Sequence, residues 1–167
     1  SSSFALRLLG WMCYWGEGIP QNYEYALHLL DFAIKKGAID VSSYIKGAIY
    51  DKKNDSKNAF EAYSKSDFLL SKLRLVEMYK TGEYVKPDID KAIEICQEIL
   101  ATEDGEEQER GKKALQAIAY KLNHMAYEEV FANNLEKAMS NITKAITILP
   151  DDGNLLDSKG EILLWMG

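Results

Sequence analysis

Apolar residues recur at spacings of three and four along nearly the whole chain. Ala26, Leu29, Leu30, Ala33 and Ile34 show the pattern, and so do Ala92, Ile93, Ile95, Cys96 and Ile99. At 3.6 residues per turn such spacing gathers one wide apolar stripe on each helix. No stretch sustains the alternation of a strand, and the prolines are only Pro20, Pro87 and Pro150. The pattern predicts helices over 4–16, 22–36, 40–52, 55–66, 68–82, 88–102, 106–132, 134–148 and 153–166.

The helices come in a repeat. Gly16, Gly18 and Ile19 precede Asn22, Tyr25 and Ala26, and Gly82, Tyr84 and Val85 precede Asp88, Lys91 and Ala92, so the two blocks superpose without gaps at an offset of 66. A weaker unit with Tyr50, Asp55 and Ala59 lies halfway, and Ala26, Ala59 and Ala92 are spaced by 33. A fixed period of this size marks a helical hairpin that buries its apolar face only by stacking on its neighbours. Ala26, Ala59 and Ala92 suit places where two helix backbones approach, since a larger side chain would push them apart. Gly16 and Gly18 suit the tight turn between the first and second helix of a hairpin, where positive φ costs glycine little. Asn22 and Asp88 suit the N-cap of the second helix, and Gly37 suits its stop.

Ala5-x-x-x-Leu9-Gly10-x-x-Cys13-x-x-Gly16-x-Gly18-Ile19-x-x-Asn22-x-x-Tyr25-Ala26 resembles a Sel1-like repeat. Leu75-Val76-x-x-Tyr79-x-x-Gly82-x-Tyr84-Val85-x-x-Asp88-x-x-Lys91-Ala92 resembles another. Cys13 takes the usual tyrosine place, Val76 the usual glycine and Tyr84 the second turn glycine. Tyr44 to Ser66 lacks the Gly-x-Gly turn and is similar to a shortened tetratricopeptide repeat. Ala126, Ala138, Ala145 and Pro150 are similar to a further one, with Gly160 in another first helix. The resemblance implies an all-α fold, a right-handed α-α superhelix, or solenoid, of such hairpins. The expected organisation is one repeat domain over 1–167: a Sel1-like unit at 4–37, a short tetratricopeptide-like unit at 38–67, a Sel1-like unit at 68–102, an extended tetratricopeptide-like unit at 106–150 and a partial repeat helix at 152–167. Ala138 follows Ala92 by 46 residues, 13 more than the period. The excess reads as an N-terminal extension of one first helix, from about 106 to 132, or as a separate short helix with a kink at Gly111.

Charge and chemistry narrow the function. The net charge of -6 with pI near 5.0 disfavours nucleic acid and anionic membranes and suits a basic protein surface better. No apolar run approaches the ~18 residues that span a bilayer. The start, Ser1-Ser2-Ser3-Phe4, does not read as a signal peptide, which favours a cytoplasmic setting. Cys13 and Cys96 are too few and too scattered for a disulfide framework or a zinc site, and read as buried apolar residues. The acidic run Glu103–Glu109 is either a docking patch for a basic partner or cation, or a set of carboxylates favouring a helix N-terminus. His28 and His124 have no carboxylate or cysteine at a useful local spacing, and only assembly in space with Cys13 or Cys96 would make a nucleophile–base pair. Asn54-Asp55-Ser56 and Asn141-Ile142-Thr143 match the glycosylation sequon, the second within a predicted helix. No catalytic residue, metal ligand or cofactor is expected.

The resemblance implies that first helices line a concave face. In that register the inward positions include Arg7, Trp11, Tyr14, Tyr44, Glu77, Lys80, Asn123 and Tyr127. Trp, Tyr and Arg are the types that most often anchor interfaces, although Trp11 and Tyr14 equally suit packing between neighbouring helices. The expected function is a noncatalytic scaffold or adaptor that holds a peptide or protein along this face. The rival reading is self-assembly through apolar terminal helices, Phe4, Leu6, Leu8, Leu9 and Trp11 at one end and Ile162 to Met166 at the other, because a terminal repeat needs a polar outer face or a cover.

Overall fold

In a computed structural model, which describes residues 2–167, nine α-helices and no strand are found among the described residues. They are α1 (Ser3–Trp15), α2 (Tyr23–Lys35), α3 (Asp40–Lys52), α4 (Ser56–Tyr63), α5 (Leu69–Thr81), α6 (Ile89–Leu100), α7 (Gly105–Phe131), α8 (Leu135–Ile148) and α9 (Gly153–Met166). Each predicted helix exists, with ends displaced by at most a few residues. The chain is an all-α helical-repeat protein of the solenoid class. It divides into two compact units, Ser1–Ile95 and Cys96–Gly167, the division falling within α6.

In the first unit α1 pairs with α2 and α3 with α4, while α2 packs on α3, α4 on α5, and the first helices α1, α3 and α5 lie side by side. Cys13, Leu30, Ile45, Ile49 and Met78 are fully buried there. In the second unit α7 pairs with α8, and α9 packs on both, over Ile99, Ile118, Leu122, Ile142, Leu155 and Ile162. Ala26, Ala59, Ala92 and Ala138 are all 0% exposed. This is what close helix crossings demand, because a methyl is the largest group that fits between the backbones.

The hydrogen bonds carry the repeat more literally than the residue types do. Gly16 N–H donates to Met12 and Gly82 N–H to Met78; Asn22 N–H donates to Cys13 and Asp88 N–H to Tyr79. Asn22 and Asp88 each cap the following helix, accepting from Tyr25 N–H and Lys91 N–H at 2.9 Å. Every one of these pairs is offset by 66. Gly18 has φ +71, and at the same offset Tyr84 has φ +65, so a bulky side chain holds a left-handed backbone there. The other two turns form a second class. Asn54 (φ 55) and Asn133 (φ 60) supply the left-handed residue, and the next residues, Asp55 and Asn134, donate back to Tyr50 and Glu129. Asparagine visits this region most readily after glycine, which is how these hairpins turn without Gly-x-Gly.

The extra thirteen residues are one continuous helix. α7 runs 27 residues without a break at Gly111. That glycine is buried, and a Cβ there would meet Ile99 Cγ2 at 3.0 Å, so it marks a close helix contact and not a kink.

Candidate functional site

Side chains from α1, α3, α4 and α5 border a groove of about 560 Å³ in the first unit. Its rim and floor include Tyr14, Tyr44, Asp51, Tyr63, Arg74 and Glu77. First helices set side by side each present every third or fourth residue to the same side, which is why one groove collects residues from α1, α3 and α5. The rings are held by packing: Tyr14 lies 6.0 Å from Tyr23 and 5.0 Å from Trp15, and Tyr44 lies 6.2 Å from Tyr63 and 5.2 Å from Phe68. A smaller pocket of about 240 Å³ lies along the same pair of first helices, α1 and α3, between Phe4, Arg7, Leu8, Trp11, Val41 and Ile45.

Asp51 is the centre of the groove's polar chemistry. Tyr63 Oη donates to its Oδ2 at 2.8 Å, and Arg74 binds it through both Nε (2.9 Å) and Nη2 (3.2 Å). The same guanidinium reaches Glu83 Oε2 at 2.7 Å, and Ser56 Oγ donates to the other Glu83 oxygen at 2.8 Å. One fork thus ties α3 and α5 to the α5–α6 turn, a geometry that guanidinium supplies and ammonium does not. Burial, aided by the Asp51 carboxylate, raises the Tyr63 phenol far above its ordinary range. Burial likewise raises Tyr14 and Tyr44, so all three stay neutral donors. Hydrogen bonding to Asp51 likewise raises the Arg74 guanidinium above its ordinary range. Replacing the arginine by an apolar side chain of similar length leaves two carboxylates without their cation. Arg74→Met should therefore lower stability by about 2 kcal/mol, less than the 3–5 of a fully buried pair because the side chain is 27% exposed. Urea denaturation measures it. A loss below about 0.5 kcal/mol, the level of an ordinary surface pair, would show that the fork is ornamental.

The Sel1 repeat family model matches residues 3–37 and 64–98, the two segments whose turns superpose bond for bond. These two segments are Sel1 repeats. Sel1 repeats generally mediate protein–protein interaction, and the family is generally a noncatalytic scaffold. No curated protein sequence matches the chain.

Six of the eight expected contact residues lie in the first unit, which carries the Sel1 repeats, and two in the second. Tyr14, Tyr44 and Glu77 share the groove, and Arg7 and Trp11 line the smaller pocket. Lys80 stands one turn from Glu77 and pairs with it at 2.6 Å. Asn123 and Tyr127 belong to the second unit; Asn123 Oδ1 is buried without a hydrogen-bond partner, and Tyr127 Oη donates to Glu161 of α9. That bond raises the Tyr127 phenol. Asp51, Tyr63 and Arg74 escaped the sequence reading. The sequence signal for Arg74 is slight, a single arginine in the otherwise apolar run Leu73–Val76.

Other sequence expectations resolve simply. Asp104 caps α7 by accepting from Glu106 and Glu107 N–H groups, and Glu106 pairs with Arg110, so the acidic run serves a helix N-terminus. One reading needs correction: His124 does have a carboxylate at useful spacing, Glu128 one turn on, with Nδ1 3.3 Å from Oε1. The helical i,i+4 relation creates that pair, and both partners are largely exposed. His28 and His124 are exposed, while Cys13 and Cys96 are buried, as expected of small apolar residues. Asn141 Nδ2 is itself buried, which removes it as a glycan acceptor. Among the described residues no group of three His, Cys, Asp or Glu is placed to hold a metal, and no helix is long and apolar enough to cross a membrane.

Proposed function

We propose that the first unit binds an extended segment of a protein partner along its first helices. The segment seats an apolar side chain between Phe4, Leu8 and Trp11 and runs on across the tyrosines. The observation behind this is the groove itself, where rings fixed by their neighbours stand beside the charged groups Asp51, Lys52, Arg74 and Glu77. Rigid aromatic side chains lose little entropy on contact and anchor interfaces well. Half-exposed ion pairs give orientation more than affinity. The role is that of a scaffold without chemistry of its own, and its contact residues are Arg7 and Trp11 in the smaller pocket and Tyr14, Tyr44 and Glu77 in the groove.

The test is capture of a partner from an extract of the native host on the tagged chain, with identification by mass spectrometry. Trp11→Ala and Glu77→Lys lie at opposite ends of the proposed path. Each should weaken capture of the same partner by about 10-fold or more, roughly the 1.4 kcal/mol expected of an interface anchor. Helicity should be unchanged. Capture that survives both substitutions would place the partner elsewhere. Self-assembly through α1 is a second reading, supported by Phe4, Leu8 and Trp15, which are 60%, 48% and 55% exposed.

A further inference from the structure

α3 presents a second side, away from the groove. Ser43, Lys46 and Tyr50, spaced by three and four residues, line a separate pocket of about 210 Å³ that shares no residue with the groove. Its walls are three consecutive helices, α2, α3 and α4. Two hydrogen bonds fix its long direction. Ser66 Oγ donates to the Asp40 carbonyl at 2.8 Å, so Ser43 and Lys65 lie at the end where α3 begins and α4 stops. Asp55 N–H donates to the Tyr50 carbonyl at 2.9 Å, so Tyr50 lies at the other end. Three polar groups of this pocket are left unused by the fold. Ser43 is 1% exposed, and its Oγ has no hydrogen-bond partner. A hydroxyl buried in that state weakens the fold unless something in the pocket satisfies it. Asp31 and Lys46 pair with each other. Glu61 and Lys65 stand four residues apart in the order that favours a helical ion pair, yet neither belongs to an ion pair among the described residues.

We infer that this pocket is a binding site for a small zwitterion, a free α-amino acid with a short neutral side chain. Its carboxylate accepts from Ser43 Oγ and faces Lys65, and its ammonium faces Glu61. Charge selects the class. A plain anion entering the pocket meets the carboxylates of Asp31 and Glu61, and a plain cation meets Lys46 and Lys65, so a ligand with both signs is the one that the lining suits. Spacing sets the separation of the two signs. Residues four apart on a helix have Cβ atoms about 5–6 Å from each other, a gap that adjoining charged groups of one small molecule bridge. Volume sets the size. At the roughly 30 Å³ that a water molecule takes in the liquid, the pocket has space for about seven non-hydrogen atoms. Ile34 and Ala62 give the side chain an apolar wall.

The experiment titrates L-alanine, L-serine and L-valine into the whole chain by isothermal calorimetry. At least one should bind saturably with a Kd below about 1 mM. The methyl ester of that amino acid lacks the negative charge and its N-acetyl form lacks the positive one, and each should bind at least 10-fold more weakly. Ser43→Ala and Glu61→Gln should each weaken binding by at least 10-fold with helicity unchanged. Ser42→Ala is the control. Ser42 is also buried with an unpartnered hydroxyl but does not line the pocket, so its loss should leave binding as it was. The inference is overturned if none of the three amino acids binds saturably below 1 mM, or if either derivative binds as well as its parent. It is equally overturned by binding indifferent to Glu61→Gln, or by Ser42→Ala and Ser43→Ala acting alike.

Discussion

Gly47→Ala should lower the stability of the chain by about 2–3 kcal/mol, although alanine is the better helix former. In an exposed helix interior the same change raises stability by about 1 kcal/mol, because glycine has more freedom to lose on folding. At Gly47 the new methyl would stand 2.4–2.6 Å from three atoms of the Tyr63 ring. That ring is 2% exposed, packs against Tyr44 and donates to Asp51, so it has no empty space to enter. Overpacking a rigid site of this kind costs about 1–3 kcal/mol, and a displaced hydroxyl loses about another 1. Gly160→Ala is the internal control, since its Cβ is free, and should stabilise by up to about 1 kcal/mol. Thermal and urea unfolding of the two variants should move in opposite directions. In a Tyr63→Ala background the penalty of Gly47→Ala should vanish, which assigns it to this one contact. If Gly47→Ala is neutral or stabilising by itself, α3 and α4 do not cross as closely as the structure has them.

The same contact explains why the fold was more legible than the site. Helix positions follow from local chemistry, and the local chemistry here is explicit. Asn22, Asp55, Asp104 and Asp152 each accept a bond from the backbone of the helix they precede, and the alanines mark the crossings. Groove residues are fixed by distance in space. Asp51 and Arg74 are 23 residues apart and on different hairpins, and nothing local in the sequence pairs them. The series Arg7, Trp11, Tyr14 maps at an offset of 66 onto Leu73, Glu77 and Lys80, so Arg74 falls beside the expected positions instead of on them. Asn123 and Tyr127 have the right register but stand in the second unit, and Tyr127 already has a partner in Glu161. A register shows which way a helix faces; it does not show which charges that face has already neutralised.

Gly82→Ala should cost about 3 kcal/mol and should reach the groove as well. Its φ of +82 is left-handed, a region that costs an L-residue about 1–2 kcal/mol. A Cβ there would also press on the Pro87 ring, 2.6 Å from Cγ and 2.8 Å from Cδ, and relieving such overpacking costs about 1–3 kcal/mol. The proline ring has little freedom to retreat, because its neighbour Asp88 is tied to Tyr79 and caps α6. The next residue, Glu83, is the turn's hold on Arg74 and Ser56. A turn that relaxes around the added methyl therefore moves Glu83, releases one side of the guanidinium and loosens Asp51 beneath the tyrosines. Tyr84→Gly tests the same turn with the opposite sign. It removes the left-handed strain of Tyr84, about 1–2 kcal/mol, and loses a ring contact with Phe60 worth about 0.5–1.5, so the net change should stay within about 1 kcal/mol. Equilibrium unfolding separates the two variants, and partner capture reads the groove. If Gly82→Ala is as mild as Tyr84→Gly, the turn is not the rigid brace that the hydrogen bonds from Arg74 and Ser56 require, and Glu83 has no part in shaping the groove.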